Sequence, residues 1–257
     1  MKQKIKEKVQ ELEEDYNITV VEARDFGSRA WGISNEDSDY DVAVLFIQEK
    51  KDYMTLTGYQ ETIDRSFLDG EIDIMGWNIK HFLEHCFQDK PSAFEFLKSE
   101  EVYYSKIDLE PLEQYVTSEF NTVSAYHHYR KLAKNQYKRY LEDRSKPTVK
   151  RNLYVFRGLL YAQWIEHERT YPPIHLPTFI SKTKQKDWSN EMIGKLEELI
   201  ELKKDGDGRK KVGCYEEDWV QERIERVDID TKNIESLDKN KLDRFLLYLS
   251  NEEKLKG

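Results

Sequence analysis

The run Val42-Ala43-Val44-Leu45-Phe46-Ile47 constrains this chain more than any other stretch. It is nearly continuous in apolar character, so it reads as a strand buried on both faces. Two aspartates, Asp39 and Asp41, open it. Side chains two apart on a strand share a face, so both carboxylates can reach one point. A third aspartate, Asp73, sits inside Glu71-Ile72-Asp73-Ile74-Met75, where an unpaired buried charge would be costly. Upstream, an apolar run gives way to a Gly27-Ser28 turn. Three carboxylates converging near a turn of phosphate size point to divalent metal ions and phosphoryl chemistry.

The surrounding pattern supplies a sheet. Ile5, Val9 and Leu12 have the spacing of an amphipathic helix over Lys4 to Glu14, ended by Asn17. Ile18 to Ala23 reads as a first strand, and Asp41 to Ile47 as the second. Tyr59 to Phe67 alternates, Asp69-Gly70 is a two-residue turn signal, and Glu71 to Trp77 resumes the strand, which together predict a hairpin. Asn78 can cap a helix to about Phe87, Pro91 can start another to Lys98, and Val102 to Tyr104 can return as a strand. After Leu109 the character is helical. Helices are expected over Leu112 to Glu142, Val149 to Arg169, Asn190 to Lys204, Glu216 to Val227 and Lys239 to Glu253. The expected architecture is α/β: a mixed-sheet domain over residues 1–108 and a mainly helical domain over 109–257 that closes a nucleotide cleft.

Of the 257 residues, 35% are charged, so most helices should keep one wet face. No apolar run is long enough to span a bilayer, and the amino terminus lacks the apolar stretch of a secretory signal. Cys86 and Cys214 fit no metal or redox spacing, which points to reduced thiols in a cytoplasmic protein. The net charge of −9 argues against indiscriminate coating of nucleic acid. Yet Tyr126 to Gly158 holds ten Lys or Arg against only Glu142 and Asp143. That patch reads either as a solvated helix face or as a confined polyphosphate site.

Within the site, Asp39 and Asp41 are expected to ligate metal, and Asp73 also to orient or deprotonate an incoming hydroxyl. Gly27 lets backbone amides approach a phosphate, Ser28 can add its hydroxyl and N–H, and Arg29 either neutralises charge or is an exposed turn residue. His81 and His85 have zinc-compatible spacing but no third ligand. His127 and His128 read as surface residues.

The string Gly27-Ser28-Arg29-Ala30-Trp31-Gly32 with Ser38-Asp39-Tyr40-Asp41-Val42 resembles the DNA polymerase β nucleotidyltransferase superfamily. More narrowly, it is similar to the nucleotidyltransferases associated with RNA ligases in phage and bacteria. The likeness extends through Leu68 to Asp73, Gly76-Trp77, Pro91 to Leu97, Tyr126 to Tyr140, Lys150 to Trp164 and Pro172-Pro173. It implies two Mg²⁺ ions (Mn²⁺ as the alternative), an NTP donor such as ATP, and transfer of NMP to a hydroxyl with release of pyrophosphate. It also implies that Lys150, Tyr154 and Arg157 contact triphosphate or base. An RNA or DNA 3′ end is the expected acceptor, in RNA repair or antiviral defence. Two alternatives stay open: a transferase that modifies a partner protein, and a non-catalytic nucleotide-binding antitoxin or regulatory module. Oligomeric state is not legible.

Overall fold

The amphipathic pattern at the amino terminus forms helix α1 (Lys2–Tyr16), which buries Ile5, Val9 and Leu12 and ends at Asn17 in the left-handed conformation. The computed structural model describes residues 1–142, 147–186, 188, 192–232 and 236–250. Next come β1 (Thr19–Asp25), the single-turn α2 (Gly27–Ala30), β2 (Tyr40–Ile47), β3 (Thr62–Phe67) and β4 (Ile72–Asn78). They are followed by α3 (Ile79–Phe87), α4 (Pro91–Leu97), β5 (Val102–Ser105) and α5 (Glu110–Ser118). The remaining elements are α6 (Thr122–Tyr140), α7 (Val149–Glu168), α8 (Leu176–Thr183), α9 (Met192–Lys204), α10 (Glu217–Glu225) and α11 (Lys239–Leu249). Asn190, Glu191 and residues 251–253 of two expected helices lie outside the described residues.

The five strands form one mixed sheet in the order β3-β4-β2-β1-β5. β2 runs antiparallel to β1 and parallel to β4, while β3 and β4 form the expected hairpin. Its turn is tight because Asp69 (φ 55°, ψ 29°) and Gly70 (φ 94°) both adopt positive φ, and the Glu71 N–H donates to Leu68 O at 3.0 Å. That is the primed turn whose twist suits a hairpin. Register then decides which side chains meet. Val42, Val44, Phe46, Ile72, Ile74, Val20 and Ala23 share one face with Ile5, Val9 and Leu12 of α1 in a single apolar cluster.

The opposite face carries Asp41 and Asp73 at one end and, on β1, a buried ion pair. Glu22 and Arg24 are 2% and 8% exposed, and the Arg24 Nε donates to Glu22 Oε1. The guanidinium also donates to the carbonyls of Leu97 and Ser99 and lies 5.5 Å from the Phe96 ring centre. Burial raises the Glu22 carboxyl above its ordinary pKa, and Arg24 offsets part of that rise. The Arg24 Nε and Nη1 thus have protein acceptors in place of water.

The chain divides into two compact units. One comprises Met1–Ala30, Asp39–Glu119 and Ser236–Gly257; the other comprises Trp31–Ser38 and Phe120–Glu235. The expected border at residue 108 therefore differs from this division at three places. α5 belongs with the sheet because Leu112 and Val116 are buried there near α4. α11 packs on α3 in the same unit, and Lys239 sits over the Phe87 ring. The third difference is the short excursion of Trp31–Ser38.

The second unit is centred on α7, which is buried almost all round rather than on one side. Its closest neighbour is α6. Gly158 makes this approach feasible, since a Cβ there would lie 3.0 Å from Ala133 Cβ and 3.1 Å from Tyr129 O. Helix α8 is not among the helices expected from the sequence. Pro177 occupies its first turn, where a missing N–H costs nothing.

Truncating one member of the buried ion pair should be severe. Arg24→Met is expected to lower unfolding free energy by about 3–5 kcal/mol because it strands a buried carboxylate. Glu22→Gln in the same chain should recover much of that loss. Urea denaturation of the two single variants and the double variant measures both effects.

Candidate active site

Asp41 and Asp73 are exact neighbours in register: they face each other across the parallel β2–β4 pair. Paired residues project to the same face, so backbone pairing alone sets two half-buried carboxylates side by side. Ser66 on β3 pairs with Asp73 and extends the row to the sheet edge. Asp39 lies one residue before β2 and is exposed. Among the described residues no group of three or more His, Cys, Asp or Glu is arranged to hold a metal ion. The structure thus joins two of the three aspartates by strand register and leaves the third at the entrance to β2.

The glycine turn comes to the same place. Phe26 N–H donates to Asp41 O at 2.8 Å, which fixes the end of β1 against the start of β2. Gly27 follows with φ 61°, and a Cβ there would strike Asp41 Oδ2 and lie 3.0 Å from its Cγ. Only glycine supplies both the backbone angle and the room. Ser28 and Arg29 then form the single turn α2. Arg29 is held by its surroundings: its Nε donates to Asp39 O at 3.2 Å, and its guanidinium stacks 3.7 Å from the Tyr40 ring centre.

A metal-bound state is tested by donor chemistry. Asp41 and Asp73 offer adjacent carboxylate oxygens on an open part of the sheet face, with glycine rather than a side chain above one of them. Hard oxygen donors of this kind suit Mg²⁺ or Mn²⁺. These two residues fit such an ion in kind, and Asp39 sits in the loop that leads into β2.

Lys150, Tyr154 and Arg157 belong to the second unit. Arg157 is buried, with its guanidinium 3.7 Å from the Trp31 ring centre, and Tyr154 meets the same ring edge-on at 5.4 Å. Lys150 is exposed and lies 5.7 Å from the Tyr154 ring centre. The Trp31–Ser38 segment is also fixed by Lys203 Nζ, which donates to Ile33 O at 2.9 Å, and by Leu176 N–H, which donates to Trp31 O at 2.9 Å. The buried Lys203 was missed in the sequence, where it reads as part of a basic helix end. The His81 and His85 rings lie with centres 4.3 Å apart and planes tilted by 58°. Burial lowers the His85 pKa to about 4, helped by the nearby Lys90, so this imidazole is neutral at neutral pH.

Asp25, also missed, is 6% exposed at the end of β1, on the face opposite Asp41. Its Oδ1 has no hydrogen-bond partner, and burial pushes its pKa up to about 6 against the hydrogen bond from Tyr103 and the charge of Arg29.

The chain matches the model of the RNA repair pathway DNA polymerase beta family over residues 1–248. It is 29% identical over 254 residues to the uncharacterized protein YcgL of Bacillus subtilis (strain 168), covering 96% of this chain and 95% of that relative. Among solved structures it is similar to a nucleotidyltransferase-like protein from Exiguobacterium sibiricum 255-15. There the identity is 10%, the coverage is 74% of this chain and 71% of that one, and the TM-score is 0.29.

Two measurements check this geometry. Gly27→Ala should displace the Asp41 carboxylate and reduce nucleotidyl transfer by at least about tenfold with circular dichroism unchanged. Asp25 favours its protonated form when folded, so it contributes stability at low pH that is lost as pH rises from about 4 to about 6. Asp25→Asn should therefore raise the melting temperature at pH 7.5, and its advantage should vanish near pH 4. Matched over residues 1–248, the chain belongs to the RNA repair pathway DNA polymerase beta family.

Proposed function

We propose that this protein transfers a nucleoside monophosphate from an NTP to the 3′ hydroxyl of a polynucleotide, with RNA as the acceptor. The observation that carries this reading is the adjacency of Asp41 and Asp73 beside the Cβ-free turn at Gly27. Family membership supports nucleotidyl chemistry of the polymerase β kind, and the family's place in RNA repair supports RNA as the acceptor.

In this reading the acceptor oxygen forms a bond to the α-phosphorus while the bond from that phosphorus to the bridging oxygen of pyrophosphate breaks. Asp73 takes the hydroxyl proton, and pyrophosphate leaves with the electron pair. Asp39, Asp41 and Asp73 would hold the divalent cations. Bound Mg²⁺ would neutralise charge on the triphosphate and lower the barrier to oxygen attack. Gly27 keeps the space over Asp41 clear of side chain, and the Ser28 hydroxyl and N–H are the phosphate donors. Both carboxylates lie on a strand pair rather than on loops, so little reorganisation is needed to present them.

The test incubates the protein and Mg²⁺ with each labelled NTP in the presence of RNA, DNA or protein acceptors. Label should appear on the RNA 3′ end and disappear when that end is blocked. Asp41→Ala and Asp73→Ala should each reduce transfer at least about a hundredfold with unchanged melting temperature. Transfer to protein in place of RNA, or full activity in either variant, would refute the reading.

A further inference from the structure

Helix α6 carries a charge pattern that its packing does not use. Its buried side is Ala125, Tyr126, Tyr129, Ala133 and Tyr137. On the other side His127, Lys131, Lys134 and Lys138 are all exposed, at successive steps of four, three and four residues. This is one stripe along the helix, about 16 Å long at a rise of about 1.5 Å per residue. No Asp or Glu occurs between Thr122 and Tyr140. Among the described residues, Lys131, Lys134 and Lys138 form no ion pair, whereas lysines elsewhere do, as in Lys98–Glu113, Lys106–Glu13, Lys184–Glu197 and Lys186–Glu168. Glu217, on the neighbouring α10, accepts from the Tyr137 hydroxyl at 3.2 Å instead.

Such a stripe is disfavoured in isolation. Like charges three or four residues apart repel, at a few tenths of a kcal/mol per pair. The helix retains them in a chain whose net charge is −9. Beyond its carboxy-terminal end, the Arg151 guanidinium stacks 3.6 Å from the Tyr140 ring centre, with Arg139 5.2 Å from the same ring. This adds further cationic groups near the stripe.

We propose that the exposed face of α6 is an RNA-binding surface that grips the phosphodiester backbone through Lys131, Lys134 and Lys138. Charge complementarity defines the occupant: a row of point cations with few directional demands matches a row of phosphates and reads no sequence. The choice of RNA rests on the polynucleotide-end reading above. The role assigned to α6 is to hold acceptor RNA, separate from the chemistry at Asp41 and Asp73.

The test measures anisotropy of a fluorescein-labelled single-stranded RNA of about 20 nucleotides as salt is raised. It compares the wild-type chain with the triple variant Lys131→Gln/Lys134→Gln/Lys138→Gln. The variant should bind at least about tenfold more weakly, and the slope of log affinity against log salt should flatten by about 2, since each single-strand phosphate contact contributes about 0.7. Lys2→Gln/Lys51→Gln/Lys184→Gln removes equal charge at other exposed positions and should bind like the wild type. The proposal is overturned if the two triple variants bind alike, if the wild type does not bind RNA, or if poly-glutamate of equal charge competes as well as RNA. Asp41→Ala separates the two readings: it should keep RNA binding while losing transfer. Transfer that survives with no contribution from α6 would sink this surface alone.

Discussion

Two acidic residues brought level on neighbouring parallel strands are held level by backbone pairing, which fixes the face they share. Asp41 and Asp73 are in that position. Their backbones are locked by the β2–β4 ladder, which continues as Val42 with Ile74 and Val44 with Gly76. The apolar alternation that drives Ile72 and Ile74 into the α1 face forces Asp73 to the other face, and the same holds for Asp41 beside Val42. A one-residue slip of β4 would bury Asp73 and expose two isoleucines. Hydrophobic burial therefore decides that the two acidic residues share the other face of the sheet. The Asp69-Gly70 turn matters for the same reason, because it sets the β3–β4 register that places Ser66 beside Asp73.

The two faces of the sheet solve different problems. The α1 face is an apolar cluster, interrupted at its end by Asp25 with Tyr103, where a carboxyl is more easily kept protonated than charged. The Asp41 face instead houses the Glu22–Arg24 pair, whose guanidinium reaches two carbonyls beyond α4. This pair links β1 to the chain leading into β5 through directional bonds, where a hydrophobic contact would give less geometric definition. Both buried groups flank the strand that ends in the glycine turn. The end of β1 is thus fixed from both sides before Phe26 donates to Asp41 O.

Much of this was legible in the sequence because it follows from period-two patterning and turn chemistry. All five strands, the hairpin turn, the Asn78 cap (Lys80 N–H donates to Asn78 Oδ1 at 3.0 Å) and the long helices match the expectations to within a few residues. The adjacency of Asp41 and Asp73 was expected only as convergence; the parallel pairing that produces it depends on strand order, which local patterns do not encode. Asp39 was expected on the strand with Asp41, but β2 begins at Tyr40. Arg157 was expected, from the resemblance, to contact triphosphate or base. It is buried because α7 is central to its unit, and helical periodicity cannot distinguish a buried arginine stacked on tryptophan from an exposed one. Asp25, Glu22 and Lys203 were missed because a charged residue inside or beside an apolar run gives no sign of the long-range partner that justifies its burial.

The excursion of Trp31–Ser38 accounts for a feature of the motif that chemistry alone leaves open. Between Gly27-Ser28 and Ser38-Asp39 the chain departs from the sheet unit and is packed among residues of the helical one. Trp31 is covered by Arg157 and Tyr154, the Gly32 backbone lies against the His175 ring, and Ile33 O receives the Lys203 ammonium. Within the segment, the Asn35 side chain accepts from Ser38 Oγ at 2.7 Å. A loop of this length left in solvent would pay conformational entropy each time the turn and the aspartates had to be brought together. Anchoring it on helices spends that entropy once, during folding. The residues between the glycine turn and the aspartate pair thus have packing partners of their own within the helical unit, apart from any catalytic role.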